Sequence, residues 1–282
     1  MRILVTGAAG MLGRDVVAAA RNAGHEAIGL ARADLDITDA AAAEHAVATA
    51  RPDALINCAA WTDVDGAEAD EAQASAVNGA GAGQVANAAA AAGALTIQVS
   101  SDYVFDGTTS KPIPEDAAVR PISAYGRSKL AGERAVARAG GRWMIVRSSW
   151  LFGAHGSNFV ATMLRLAGER EEIAVVEDQV GCPTYTGHLA AALVELAESS
   201  AEGIHHVAGA GAASWNAFAR EIFAQAGRGT RVLPSTTAEQ NRPAPRPAYS
   251  VLGVTRPDTP RLPAWTDGLA AYLAEREAEV HA

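Results

Sequence analysis

Short apolar runs alternate with alanine-rich helical stretches through the first half of the chain. Arg2–Val5 reads as a buried strand, and a helical run follows Thr6–Gly13 to about Ala23, with Gly24 placed as its left-handed stop. Glu26–Leu30, Ala54–Cys58, Ala94–Ser100 and Trp143–Arg147 read as further strands. Between them, Thr38 or Asp39 can cap a helix to about Ala50, another spans about Gln73–Ala92 before Gly93, and a third carries Tyr125. Asp102–Ile122 is rich in Gly, Pro and Asp and reads as a loop. Strands alternating with helices predict an α/β fold, a doubly wound parallel sheet of Rossmann type.

After Trp150 the pattern is less regular. Helices are expected over Asn158–Ala167, Thr186–Glu198 and Ser214–Ala226, the last with a serine cap, and strands over Ile173–Val176 and Gly203–Val207. Five prolines between Ala238 and Arg261 leave little room for helix there, and a final helix starts near Thr266. This divides the chain into a dinucleotide-binding domain over 1–150, rejoined by about 183–208, and a smaller, interleaved region over 151–282 that is mainly substrate-binding and discontinuous.

Composition narrows the function. Of 282 residues, 49% are hydrophobic, enough for a sizeable core. The net charge of −9 argues against a nucleic-acid or anionic-membrane partner, so an anionic substrate would need a locally basic pocket. Cys58 and Cys182 lack disulfide or metal spacing and read as reduced thiols of a cytoplasmic protein. The N-terminus enters a strand at once, unlike a signal peptide, and no apolar run reaches the ~20 residues of a membrane span. The seven histidines show no metal-ligand spacing, so no metal site is assigned, and His205-His206 reads as structural.

Gly7-x-x-Gly10-x-x-Gly13 lies between the first strand and the first helix. Glycines there permit a tight turn, close approach to a pyrophosphate and close helix packing, and the helix N-terminus offers free N–H groups. Gly7, Gly10, Met11, Leu12 and Gly13 are therefore cofactor candidates. The second strand ends at Arg32 with no acid for a ribose 2′-hydroxyl. Arginine suits a 2′-phosphate, which favours NADPH; NADH stays open, since Arg32 also reads as a solvated loop residue. Asp36 and Ile37 are candidates for the adenine. The small residues of Asn57-Cys58-Ala59-Ala60 would admit the cofactor.

Tyr125 and Lys129 stand four residues apart, on one face of a helix. A nearby ammonium favours the phenolate, which would fit Tyr125 for proton donation to a ketone. The pair alone is a common pattern on amphipathic helices. Ser101, expected at the carboxyl end of a strand, either bonds a substrate carbonyl or, with Asp102, only initiates the loop.

Taken together, Thr6-Gly-x-x-Gly-x-x-Gly13, Asn57-x-Ala-Ala60, Ser101 and Tyr125-x-x-x-Lys129 resemble the extended short-chain dehydrogenase/reductase family. Within it, Ser101-Asp-Tyr-Val-Phe-Asp-Gly107, Val146-Arg-Ser-Ser-Trp-Leu-Phe-Gly153, Val176-Glu-Asp-Gln-Val-Gly-Cys-Pro-Thr-Tyr185 and Arg246-Pro-Ala-Tyr-Ser250 resemble the dTDP-4-dehydrorhamnose reductases. The resemblance covers nearly the whole chain. It implies NADPH-dependent reduction of a nucleotide-sugar C4 ketone, with Tyr125 as proton donor, Ser101 holding the ketone oxygen and Lys129 binding the nicotinamide ribose. It further implies Asp102, Tyr103 and Trp150 in the sugar pocket, Thr62 and Val64 facing it, Arg246 as a cation for the diphosphate, and a homodimer. Some members use Mg2+ at a dimer interface, but no acidic cluster in this sequence is assignable to it. Ser101 stands where threonine is frequent, and Cys182 where serine or alanine is. The resemblance also leaves open a reductase or epimerase of another nucleotide-linked 4-ketosugar, and a non-catalytic relative that serves as a regulatory subunit of methionine adenosyltransferase. A 4,6-dehydratase fits less well, because Tyr103 stands where its catalytic glutamate is expected.

Overall fold

The apolar runs of the first half become parallel strands in the computed structural model, which describes residues 1–281. In chain order they are β1 (Arg2–Thr6), α1 (Met11–Asn22), β2 (Glu26–Leu30), α2 (Ala40–Ala50), β3 (Ala54–Asn57), α3 (Val64–Ala69), α4 (Glu71–Ser75), α5 (Ala82–Ala91), β4 (Leu95–Ser101), α6 (Ala124–Arg138) and β5 (Trp143–Ser148). The second half adds β6 (Leu151–Phe152), α7 (Phe159–Ala167), β7 (Glu172–Val176), β8 (Val180–Gly181), β9 (Thr184–Tyr185), α8 (Thr186–Glu198), β10 (Gly203–His206) and β11 (Ala213–Ser214). It ends with α9 (Trp215–Gln225), β12 (Arg231–Ser235), α10 (Thr237–Gln240) and α11 (Trp265–His281).

Six strands form one parallel sheet in the order β10-β5-β4-β3-β1-β2. Every residue of β3 and β4 is buried, as helices on both faces require. The period of two sorts the side chains: Ile3 and Val5 join Leu12, Val16, Leu189 and Leu193 on the α1/α8 face, while Leu4 joins Val47, Val85 and Ala89 on the α2/α5 face. β10 and α8 thus return the chain to the large sheet. The remaining residues of the second half build a separate aromatic core around Phe152, Phe218, Ile222, Leu269 and Tyr272. Around it, β7 pairs with β12, β8 with β11 and β6 with β9.

Three features depart from the sequence expectation. The helix expected over Gln73–Ala92 is split by a π-helical stretch at Ala76–Gly81. Within it, the Asn78 side chain accepts from Trp61 N (2.8 Å) and donates to Trp61 O (3.0 Å) and to Ser128 Oγ (2.9 Å), tying the segment to the chain after β3 and to α6. Such widened turns are frequent at functional sites. β12 was not expected, because Pro234 interrupts its pattern. It pairs only with β7, and an edge position tolerates a missing N–H. The two-residue strands and α3 are too short to show periodicity. Among the described residues, no helix is long and apolar enough to cross a membrane.

One buried ion pair joins the layers. Arg147 of β5 meets Glu133 of α6 with Nη2–Oε2 2.8 Å and Nε–Oε1 2.9 Å, both side chains under 5% exposed. Ser100 Oγ of β4 donates to the same carboxylate at 2.6 Å. Glu133→Ala is expected to cost about 3–5 kcal/mol of unfolding free energy, because Arg147 would stay buried without its carboxylate. Urea denaturation measures the loss. The double replacement Glu133→Leu with Arg147→Met should recover most of it; an undiminished loss in the pair would show that an unpaired charge is not the cause.

Candidate active site

A cavity of about 1000 Å³ opens at the carboxyl ends of β1, β3, β4 and β5 and extends to the aromatic core of the second half. Open parallel sheets bind ligands at this edge. Gly7, Gly10, Met11, Leu12 and Gly13 line one end. Gly7 has φ +68°, and a Cβ there would lie 2.6 Å from Ala59 N. A Cβ on Gly13 would collide with the Gly7 carbonyl, whereas one on Gly10 would meet only that carbonyl oxygen, at 3.2 Å. Gly10 is the N-cap of α1 and has no side chain to satisfy the first amides. A floor of backbone at a bare helix N-terminus fits a dinucleotide pyrophosphate.

Arg32, Asp36 and Ile37 continue the lining from the β2 side, with Arg32 exposed at the rim. Hydrogen bonds from Thr38 N and Oγ1 hold the Asp36 carboxyl below the usual carboxylate range. Cys58, Ala59 and Ala60 line the wall after β3. Their turn is set by a buried polar chain, in which Asn57 Oδ1 accepts from Thr6 Oγ1 (2.5 Å) and Ala59 N (3.1 Å) while Nδ2 donates to Gln98 Oε1 (2.7 Å). Burial pushes the Cys58 thiol up to about 12, so it is not a nucleophile at neutral pH.

Ser101 ends β4, and Ser123 caps α6, its Oγ accepting from Gly126 N at 3.1 Å. This brings Ser101, Tyr125 and Lys129 into the lining together, beside Tyr103, whose ring packs edge-on against Tyr125 at 5.4 Å. Tyr125 is half-buried yet surrounded by protein. That enclosure, reinforced by the Asp102 carboxylate and partly opposed by a hydrogen bond with Ser101, pushes its hydroxyl up to about 12. The acidification of Tyr125 by Lys129 expected from their spacing is therefore not what this arrangement gives. Lys129 Nζ instead donates to Val99 O at 2.8 Å, and burial, opposed by Glu133, brings its ammonium down to about 8.

Thr62, Val64 and Trp150 also line the cavity. Trp150 has φ +49° and stacks on Trp215 with centroids 3.6 Å apart and planes 4° from parallel. Its other neighbour is Gly181, where a Cβ would come within 2.5 Å of Trp150 Cε2. Trp215 donates Nε1 to Gln179 Oε1 at 3.2 Å and lines the cavity too, although the sequence places it in the core by default. Two expected substrate-binding residues, Asp102 for the sugar and Arg246 for the diphosphate, do not reach the lining. Asp102 is 1% exposed and lies beneath Ser101, and Arg246 is committed to Asp65 (2.9 Å) and Ala244 O (2.8 Å). Sequence reasoning also missed Trp61, although it lies between Ala60 and Thr62, and it missed Gln73 and Ser157, which only the fold brings to the site. Among the described residues, no group of three or more His, Cys, Asp or Glu side chains could hold a metal ion.

The family model described as the RmlD substrate binding domain matches residues 1–278. The chain belongs to this family. A dTDP-4-dehydrorhamnose reductase of Streptomyces griseus is 46% identical over 90% of this chain and 86% of its own length. A dTDP-4-keto-6-deoxy-D-glucose reductase of Streptomyces niveus is 44% identical over 89% of this chain and 88% of its own. The crystal structure of the Bacillus anthracis dTDP-4-dehydrorhamnose reductase in complex with NADP superposes with a TM-score of 0.95, at 38% identity, over 97% of this chain and 99% of that one.

In this RmlD-family chain the indole stack is the site's most specific packing feature. Gly181→Ala is expected to displace the Trp150 indole. Near-ultraviolet circular dichroism should then lose the coupled signal of two parallel indoles while the far-ultraviolet spectrum stays native. An unchanged near-ultraviolet spectrum would show that the pocket wall yields elsewhere.

Proposed function

We propose that this protein reduces the C4 ketone of dTDP-4-dehydro-L-rhamnose to dTDP-L-rhamnose, using NADPH. The carrying observation is that Ser101, Tyr125 and Lys129 share one cavity with the glycine cradle at one end and the indole wall at the other. The names of the relatives and the NADP in the Bacillus anthracis neighbour support the same reading. Gly7, Gly10 and Gly13 let the backbone approach the pyrophosphate, and the first amides of α1 bind it. Arg32 receives the 2′-phosphate, and Asp36 and Ile37 flank the adenine. Met11, Leu12, Cys58, Ala59 and Ala60 shape the channel.

When bound, the reduced nicotinamide supplies a hydride to C4. Negative charge then grows on the ketone oxygen, and Tyr125 gives its proton to that oxygen. A hydroxyl near 12 is fully protonated at neutral pH, so the donor is always loaded. Ser101 holds the oxygen from the β4 side. Lys129 holds the ribose hydroxyls and steadies the phenolate that proton loss leaves. Thr62, Val64, Tyr103 and Trp150 enclose the sugar.

The Streptomyces niveus relative favours a second reading, reduction of dTDP-4-keto-6-deoxy-D-glucose, which differs in configuration rather than in the reacting ketone. Purified protein should be given NADPH and each ketosugar in turn, with the product identified by NMR. Faster turnover of the L-rhamno substrate is the expected outcome; faster turnover of the D-gluco one replaces the first reading with the second. Tyr125→Phe should lower kcat by about 10²–10⁴ with NADPH affinity unchanged. Activity should also fall as pH rises through about 8, where Lys129 loses its charge. A flat profile from pH 7 to 9 would contradict the role given to Lys129.

A further inference from the structure

Ser101 carries one proton and has two claimants for it. Its Oγ lies 2.9 Å from Asp102 Oδ1, and an ionised carboxylate only accepts, so the serine hydroxyl donates inward. The same oxygen accepts from Tyr103 N at 3.2 Å and bonds with Tyr125 on the cavity side. While that inward bond holds, Ser101 has no proton left for a ketone oxygen.

We propose that Asp102 is a positioning residue for the reduction, its carboxyl deciding whether the Ser101 hydroxyl donates inward or to the substrate's ketone oxygen. The resemblance implied a direct sugar contact for this residue, but it is buried beneath Ser101 and outside the cavity lining. Its Oδ2 has no hydrogen-bond partner and no water-accessible surface to speak of. A buried carboxylate oxygen in that state favours taking up a proton. Once Oδ2 is protonated, Oδ1 is a weaker acceptor, and the Ser101 hydroxyl is free to turn into the cavity as a second donor beside Tyr125.

The titratable groups that face the carboxyl are Tyr103 on the same turn, Tyr125 from α6 and the Cys182 thiol after β8. All three are pushed upward, Tyr125 to about 12 and Cys182 to about 11, so they stay neutral across the physiological range. The hydroxyls of Ser250 and Ser101 favour the ionised form, and burial outweighs them, bringing Asp102 up to about 6. Arg246 and Asp65 also act on Tyr103, in opposite senses, and Asp65 is shared between Arg246 and Arg242. Asp102 is thus the group of this cluster that changes charge between about pH 5 and pH 7.5.

The inference rests on the role proposed above for Ser101, and the test separates the two. kcat/KM with NADPH and dTDP-4-dehydro-L-rhamnose is measured from about pH 5 to 7.5 for the native protein, Asp102→Asn, Ser101→Ala and the double variant. Native kcat/KM should rise roughly tenfold as pH falls through about 6, the gain of one donor to a developing oxyanion. Asp102→Asn should be flat across this window. Ser101→Ala should be flat and low, and the double variant should match it, because one residue acts through the other. A step near pH 6 that survives in Asp102→Asn, or effects that multiply in the double variant, would overturn the inference. Ser101→Ala with native turnover would instead defeat the role of Ser101 itself. Thermal denaturation and NADPH binding establish whether Asp102→Asn is folded. If it is not, the native and Ser101→Ala profiles decide: a pH 6 step in both overturns the inference, and a step in the native protein alone supports it.

Discussion

The carboxylate of Glu133, held by Arg147 and Ser100, fixes how α6 sits on the sheet. α6 carries Tyr125 and Lys129, and Ser100 immediately precedes Ser101, so the same three-way contact sets the distance between the two halves of the reacting group. Lys129 lies one turn from Glu133, and the carboxylate opposes the loss of its charge. A hydrophobic contact between α6 and β4 would supply similar stability but no direction. A bidentate guanidinium with a third donor leaves the carboxylate one orientation, and it fixes the helix in register.

Burial then acts on the neighbouring groups in opposite senses. It raises Tyr125, lowers Lys129 and raises Asp102, since each shift reduces the charge held in a poorly solvated place. The cluster therefore rests close to neutrality, with the phenol protonated. That condition suits the direction of reaction proposed here. A reductase needs a loaded proton donor, whereas a phenolate would suit the reverse, oxidative direction. The lysine lies against Val99 O, where its bonding does not draw the proton from the phenol, and the donor stays loaded.

The parts of this site that depend on backbone were legible in the sequence. Gly7, Gly10 and Gly13 declare themselves by spacing, with a steric demand that only glycine meets at Gly7 and Gly13, and the strand before them is short and continuous. Long strands and helices were legible for the same reason: β3, β4 and α8 are buried over enough residues to leave a pattern. What depends on contacts between distant segments was not. Trp215 reads as core until β8 and β11 pair and bring it over Trp150. Arg246 reads as a free cation until Asp65, far away in sequence, closes on it. The π-helical turn around Asn78 lies within an ordinary helical pattern, since its cause is the backbone of Trp61 and not its own periodicity.

Charge places a last constraint on how the cavity works. The protein carries a net charge of −9, and of the cavity-lining side chains only Arg32 and Lys129 are cationic, against Asp36 and Asp63. Two diphosphates are to be held there under the proposed reaction. With Arg246 tied to Asp65 and outside the lining, the side-chain cations there are too few to match them. The balance falls to backbone N–H groups, whose partial charges need no counter-ion and are not screened away by pairing with the protein's own acids. A methyl on Gly7 would press on the backbone of Ala59, and one on Gly13 on the Gly7 carbonyl, so either would distort the turn that presents those amides, and in an acidic protein little else could replace them.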